Sequence, residues 1–175
     1  MAGTTTVWTI GHSNRSADDF VAALEAFGIE TVADVRRFPG SRRHPQFGSE
    51  ALAAALAARG IDYAWVAGLG GRRRAVPGPE HLGWRNASFR SYAAHMWTED
   101  FAEGLAELLH LASARRTAMM CSEVLWWRCH RALVSDALRL LGYEVVHIFD
   151  PAHATPHAYT SPARVIDGEL SYPQQ

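Results

Sequence analysis

An α/β fold, with a mainly parallel sheet flanked by helices, is predicted by three observations on this 175-residue chain. Short β-rich runs alternate with amphipathic segments of helical spacing. Capping residues open those segments and glycines close them. An Asp-Gly pair near the end marks a two-residue hairpin.

The elements follow in order. Val7-Trp8-Thr9-Ile10 is a first strand ending at Gly11. Ser16 caps a helix that carries Phe20, Leu24 and Phe27 on one face and stops at Gly28. Thr31–Val35 is the second strand, and Ser49 is expected to cap a helix over Glu50–Arg59 that ends at Gly60. Tyr63–Val66 is the third strand. The Gly-, Pro- and Arg-rich residues 68–88 read as loop, and Phe89–Ala112 as a long helix broken near Thr98. Thr117–Met120 is a buried strand leading into Cys121, followed by a helix from about Arg128 to Leu141 and a last core strand over Val145–Phe149. Asp167-Gly168 centres a C-terminal β-hairpin within Arg164–Tyr172. One domain over 1–175 is expected, with a core at about 7–150 and a hairpin extension at about 151–175.

Composition narrows the function classes. No apolar run is long enough for a membrane span, and the N-terminus lacks the pattern of a secretory signal. Two cysteines do not make a disulfide scaffold, so the cytoplasm is the expected compartment. The net charge of −1 conceals an uneven distribution. Between Arg36 and Arg90, ten arginines face three acids (Glu50, Asp62, Glu80), a local balance of +7, and the chain has no lysine. Arg36-Arg37, Arg42-Arg43 and Arg72-Arg73-Arg74 lie in Gly/Pro-containing stretches, where guanidinium groups suit phosphate or carboxylate. Solvated loops are the plainer reading of the same clusters.

In an open α/β sheet, ligands bind beyond the carboxyl ends of the strands. Four segments bring polar or glycine-rich elements there: His12-Ser13, Asp34 with Arg36, Gly68-Leu69-Gly70-Gly71, and Cys121-Ser122-Glu123. Cys121, near Arg128, His130 and Arg131, reads as a nucleophile or redox thiol, or else as a small buried residue at a strand end. Cys129 recurs with Leu133 and Ala137 at helical spacing and reads as packing. His12, Glu123 and Asp34 are the candidate proton-moving or orienting groups. Ser13, Arg36, Ser41, Gly70, Gly71, His130 and Arg131 are the candidate ligand-binding residues, and Arg131 alternatively pairs with Glu123 or Asp34. Cys-x7-Cys-His is not a standard zinc spacing, so no metal is expected. The nucleophile elbow, the P-loop and the dinucleotide fingerprint are all absent, and no cofactor is expected.

Thr9-Ile10-Gly11-His12-Ser13, Asp34-Val35-Arg36 with Pro39 and Ser41, Phe47, Leu69-Gly70-Gly71, Cys121-Ser122-Glu123 and Cys129-His130-Arg131 together resemble the bacterial and archaeal family catalogued as domain of unknown function 488. The resemblance runs from about residue 7 to 172 and implies a compact α/β fold with a shared polar site, but no activity. A looser likeness is to rhodanese and cysteine-phosphatase domains, which also set a cysteine after a buried strand and an arginine near the next helix. Here the intervening loop holds Val124, Leu125, Trp126 and Trp127 and no glycine, unlike their short anion-wrapping loops. Three readings stay open: an enzyme-like domain binding an anionic, phosphate-bearing small molecule, a nucleic-acid-binding module using the 36–90 region, and a structural or interaction domain with a buried Cys–His–Arg network.

Overall fold

The computed structural model describes residues 3–74 and 83–174. Its main sheet has six strands in the order β3-β2-β4-β1-β5-β6. These are β1 (Thr6–Gly11), β2 (Thr31–Asp34), β3 (Asp62–Trp65), β4 (Thr117–Cys121), β5 (Glu144–Asp150) and β6 (His153–Pro156). The first five run parallel, and β6 pairs antiparallel with β5. Central β1 and β4 are buried almost throughout, as parallel strands covered on both faces must be, whereas edge strand β3 is half exposed.

Successive residues of each strand feed opposite cores. Trp8, Ile10, Val32, Ala118, Met120 and Ile148 pack under α1 (Ala17–Ala26) and α2 (Ser49–Ala57), through Phe20, Leu24, Leu52 and Leu56. Val7, Ala33, Met119, Cys121 and Val145 face α3 (Ala87–His95), α4 (Glu99–Ala114) and α5 (Arg131–Leu140), meeting Tyr92, Phe101, Leu108 and Leu133. Truncating one of these fully buried leucines, Leu24 or Leu108, would cost about 2–5 kcal/mol.

Local signals account for most boundaries. Ser16 Oγ accepts from the Asp19 N–H at 3.0 Å, and Gly28 takes the positive φ of 67° that ends the turn. Thr98 divides the long helical stretch because its hydroxyl caps α4 through the Phe101 N–H. Gly48, not Ser49, occupies the cap position of α2, and no side chain caps that helix. Asp167 and Gly168, with φ of 53° and 78°, turn the hairpin of β7 (Arg164–Ile166) and β8 (Glu169–Ser171).

The last helix also starts later than expected. The helix expected from about Arg128 begins at Arg131, after a 3-10 turn at Trp126–Arg128, because Cys129 is extended and its sulfur accepts the Arg131 N–H. The spacing of Cys129 with Leu133 and Ala137 therefore reaches outside the helix. Residues 153–156 add an edge strand to the main sheet, with Pro156 tolerated because it sits at that edge. Among the described residues, no helix is long and apolar enough to cross a membrane. Part of the expected 68–88 loop lies outside the described residues.

Candidate functional site

The carboxyl ends of β1, β2 and β4 are adjacent in the sheet, and backbone hydrogen bonds continue the pairing into the loops that leave them. The His12 and Ser13 N–H groups donate to Cys121 and Ser122 carbonyls, and the Val35 N–H donates to Met120, each at 2.9 Å. Gly11 permits the closest approach, since a Cβ there would lie 1.9 Å from the Glu123 carbonyl oxygen. Ser13 leaves β1 with a φ of 48°, a left-handed conformation uncommon for a non-glycine residue.

Asp34 and Arg36 form one wall. The fully buried Asp34 carboxylate receives Arg36 Nε and Nη2 at 2.9 and 2.7 Å, plus the Tyr63 hydroxyl. Burial works against the Arg36 charge, but Asp34 outweighs it and holds the guanidinium pKa above its usual value. Arg36 Nη1 reaches the Phe47 carbonyl at 2.8 Å and His12 Nε2 at 3.4 Å. His12 stacks on Phe47, and its Nδ1 lies 2.8 Å from the Ser13 carbonyl. A carbonyl can only accept, so Nδ1 carries the proton and Nε2 faces Arg36 with its lone pair. Burial, only partly opposed by the Ser13 hydrogen bond and reinforced by Arg36, lowers the His12 pKa to about 4.

The opposite wall holds both cysteines. Their sulfurs are 3.0 Å apart, and both thiols are free. Cys129 Sγ also accepts from the backbone N–H and Nε of Arg131, at 3.3 and 3.2 Å. Two Arg131 donors thus converge on one sulfur beside the Cys121 thiol, an environment that favours a thiolate. Burial raises the Cys129 pKa, but the Cys121 hydrogen bond, the Arg131 charge and His130 outweigh it and bring it well below the ordinary thiol value. Burial and the same sulfur–sulfur contact push Cys121 well above it. His130 Nε2 lies 2.7 Å from the Val35 carbonyl and must donate to it. Gly71 leaves room for that ring, since a Cβ there would come within 2.8 Å of Nδ1.

Behind Arg131 runs a buried chain that sequence reasoning missed. Arg131 Nη1 donates to Thr9 Oγ1 at 3.1 Å, and Thr9 Oγ1 lies 2.7 Å from His147 Nδ1. His147 Nε2 lies 2.9 Å from His157 Nδ1, and His157 Nε2 lies 2.8 Å from Asp136 Oδ1. The carboxylate of Asp136 can only accept and the guanidinium of Arg131 can only donate, so the chain has a fixed acceptor at one end and a fixed donor at the other. Burial, with His157 and Arg131 nearby, lowers the His147 pKa to about 2, and Trp126 stacks on its ring at 4.3 Å. Asp136 also receives the Thr160 N–H and hydroxyl and the Tyr172 hydroxyl. The remaining Arg131 group, Nη2, donates to the Glu123 and Val124 carbonyls.

Between the walls opens a cavity of about 860 Å³. His12, Ser13, Arg36, Ser41, Gly71, Cys121 and His130, all candidates from sequence, line it, as does Cys129. Arg37, Arg42, Arg43 and Arg72 complete a set of five lining arginines, with no carboxylate among the lining residues described. The other four candidates lie outside the lining. Asp34 is buried behind Arg36, Gly70 packs on the Arg37 backbone, and Arg131 is 1 % exposed beneath Cys129. The Glu123 carboxylate turns back to the Leu125 N–H, so that only its carbonyl reaches the centre. Among the described residues, no group of three or more His, Cys, Asp or Glu side chains is arranged to hold a metal ion.

Among curated proteins and solved structures, the chain finds no match. A family model does match, over residues 16–138, a span that holds Asp34, Arg36, both cysteines, Arg131 and Asp136 but not His12, His147 or His157. On that match the chain belongs to the family described as the domain of unknown function DUF488.

Proposed function

We propose that this domain binds an anionic, phosphate-bearing small molecule in the arginine-lined cavity and presents Cys129 to it as a nucleophilic thiolate. The observation that carries this reading is the lining itself: five arginines and the Cys129 sulfur share one cavity, with no carboxylate among the described lining residues. Asp34 neutralises Arg36, whereas Arg42 and Arg43 are exposed and make no side-chain hydrogen bond or ion pair among the described residues. Those cations are available to a ligand without breaking an internal contact. The volume suits a nucleotide-sized molecule. Phe38, 62 % exposed at the cavity and beside Arg37, offers a face for a flat ring. Arg131 positions and charge-balances the sulfur, and transfer of an acyl or sulfur-bearing group through it is the chemistry that this arrangement suits.

The test is a thermal-shift titration of the reduced protein with inorganic phosphate and nucleoside phosphates at constant ionic strength. A ligand at about a hundred times its Kd stabilises by about 2.7 kcal/mol, so a saturable rise in Tm is expected. Arg43→Ala and Arg72→Ala should weaken it, and the bound anion should slow alkylation of Cys129. A linear, unsaturable response shared by both variants would end the reading.

A further inference from the structure

We propose that Cys129 and Cys121 form a reversible dithiol–disulfide couple, with Cys129 meeting a hydroperoxide that enters the cavity and Cys121 closing the bond. Two thiols rarely sit 3.0 Å apart without a consequence, since little movement separates that contact from a bond. Their surroundings divide the labour. Cys129 is half-buried, lines the cavity and receives both Arg131 donors, so its sulfur is held in the form that attacks. Cys121 is 3 % exposed at the end of β4, which shields it from bulk oxidant while its sulfur stays against Cys129. Between them Trp127 and Arg128 are exposed, while Glu123, Val124 and Trp126 stay held by Arg131 and His147, so the bond asks for adjustment only next to Cys129. Arg131 is held by Thr9 and the Glu123 and Val124 carbonyls, and His130 by the Val35 carbonyl, contacts that do not depend on either sulfur.

The chemistry closes with one oxidant. The Cys129 thiolate attacks the outer oxygen of the hydroperoxide, forming the S–O bond as the O–O bond breaks. The alkoxide or hydroxide leaves and takes a proton from solvent. Sulfur is oxidised by two electrons to sulfenic acid, and the peroxide is reduced to an alcohol or water. Cys121 sulfur then attacks Cys129 sulfur. The S–S bond forms, the S–O bond breaks, and the departing hydroxide leaves as water with the Cys121 proton. An external dithiol restores both thiols by exchange. Oxidation removes a negative charge from the cavity floor and leaves the rim arginines in place, so the disulfide form is expected to bind phosphate more tightly than the reduced form. That last consequence alone rests on the anion-binding reading.

The full-length reduced protein is treated with stoichiometric hydrogen peroxide, quenched with an alkylating reagent and weighed by intact mass spectrometry. Loss of both alkylations is expected, together with a Cys121–Cys129 cross-linked peptide and full recovery with dithiothreitol. Cys121→Ser should stop at a sulfenic acid on Cys129, trapped by dimedone. Cys129→Ser should leave Cys121 unoxidised over the same interval. Retention of both alkylations in the unmutated protein, oxidation of Cys121 at the wild-type rate in Cys129→Ser, or bonds formed mainly between chains would each overturn the couple. The unmutated protein reports on this without relying on either variant's folding. No phosphate is present, so a failed phosphate titration leaves the couple standing, and a failed couple leaves the titration standing.

Discussion

Arg131 divides the molecule into two regions that use the same residue types in opposite ways. On the cavity side, Arg42 and Arg43 are exposed and carry no internal partner among the described residues. On the inner side, Arg131 is almost fully enclosed and spends its donors on Cys129, Thr9 and the Glu123 and Val124 carbonyls. Histidine divides likewise. His44 lines the cavity and is partly exposed, whereas His147 and His157 are buried links held by fixed partners. A buried polar chain is stabilising only while every member is satisfied, so it demands a unique arrangement. An exposed cation demands none, and it keeps its hydrogen-bonding capacity for something outside the chain. The inner region thus holds Cys129 and Arg131 in position, and the outer region is left free to meet a ligand.

The comparison breaks first at Asp136. Its carboxylate is fully buried and accepts from His157, from the N–H and hydroxyl of Thr160, and from Tyr172. Asp136→Ala strands these donors, and removing one partner of such a buried network costs about 3–5 kcal/mol. Urea unfolding should show that loss as a lower midpoint. A loss below about 1 kcal/mol would mean that the chain is not a structural unit.

How much of this was legible differs between the two regions for a physical reason. The cavity residues sit on the loops that leave strand ends, and strand-end polar residues stand out because the strands themselves are apolar. His12, Arg36 and Cys121 can therefore be placed from alternation alone, as can the Ser16 cap and the Asp167-Gly168 turn. The inner chain gives no such signal. Thr9 and His147 lie inside strands, Asp136 inside α5 and His157 just past β6, and they meet only through the pairing of β1 and β6 with β5 and the packing of α5. The β1–β5 pairing sets Thr9 opposite His147, a register no local pattern reveals. Cys129 packs against the core as its spacing with Leu133 and Ala137 suggests, but its backbone is extended rather than helical. The role of Cys129 depends on the reach of Arg131 Nε, a rotamer choice the spacing does not encode.

Acid sharpens the comparison next. In the unfolded chain His12 takes up a proton near the ordinary histidine value of 6.5, whereas in the folded chain it does so only near 4. Between those values the unfolded state binds more protons, so stability is full above the window and is lost as pH falls through it, by about 3 kcal/mol for this one group. His147 acts in the same direction and continues it to lower pH, because its folded pKa is about 2. Chemical denaturation across the window should give a declining stability for the wild type and a shallower decline for His12→Asn. Parallel curves for the two proteins would place the acid sensitivity elsewhere.

The smallest effect on folding is expected at the rim, where it separates two kinds of ligand. Arg42→Ala and Arg43→Ala remove exposed side chains with no internal partner among the described residues, so each should change stability by less than about 0.5 kcal/mol. Any loss of binding in these variants is then a loss of contact rather than of fold. A nucleic acid would engage several cations at once and release condensed counterions, so its affinity would fall steeply with salt, by a slope of about 0.9 per phosphate neutralised on duplex DNA. A small phosphate-bearing molecule engages fewer cations and shows a shallow slope. Within Arg72-Arg73-Arg74, Arg73 is already committed to the carbonyls of Ala67, Gly68 and Gly70, which leaves fewer groups for a long polyanion than the sequence suggests. The expected result is therefore a shallow slope for nucleoside phosphates and weak oligonucleotide binding confined to low salt. Titrations of both ligands over a salt series, in wild type and the two variants, read this directly. A steep oligonucleotide slope that flattens in Arg42→Ala and Arg43→Ala, without a matching effect on nucleoside phosphates, would reassign the rim to nucleic acid.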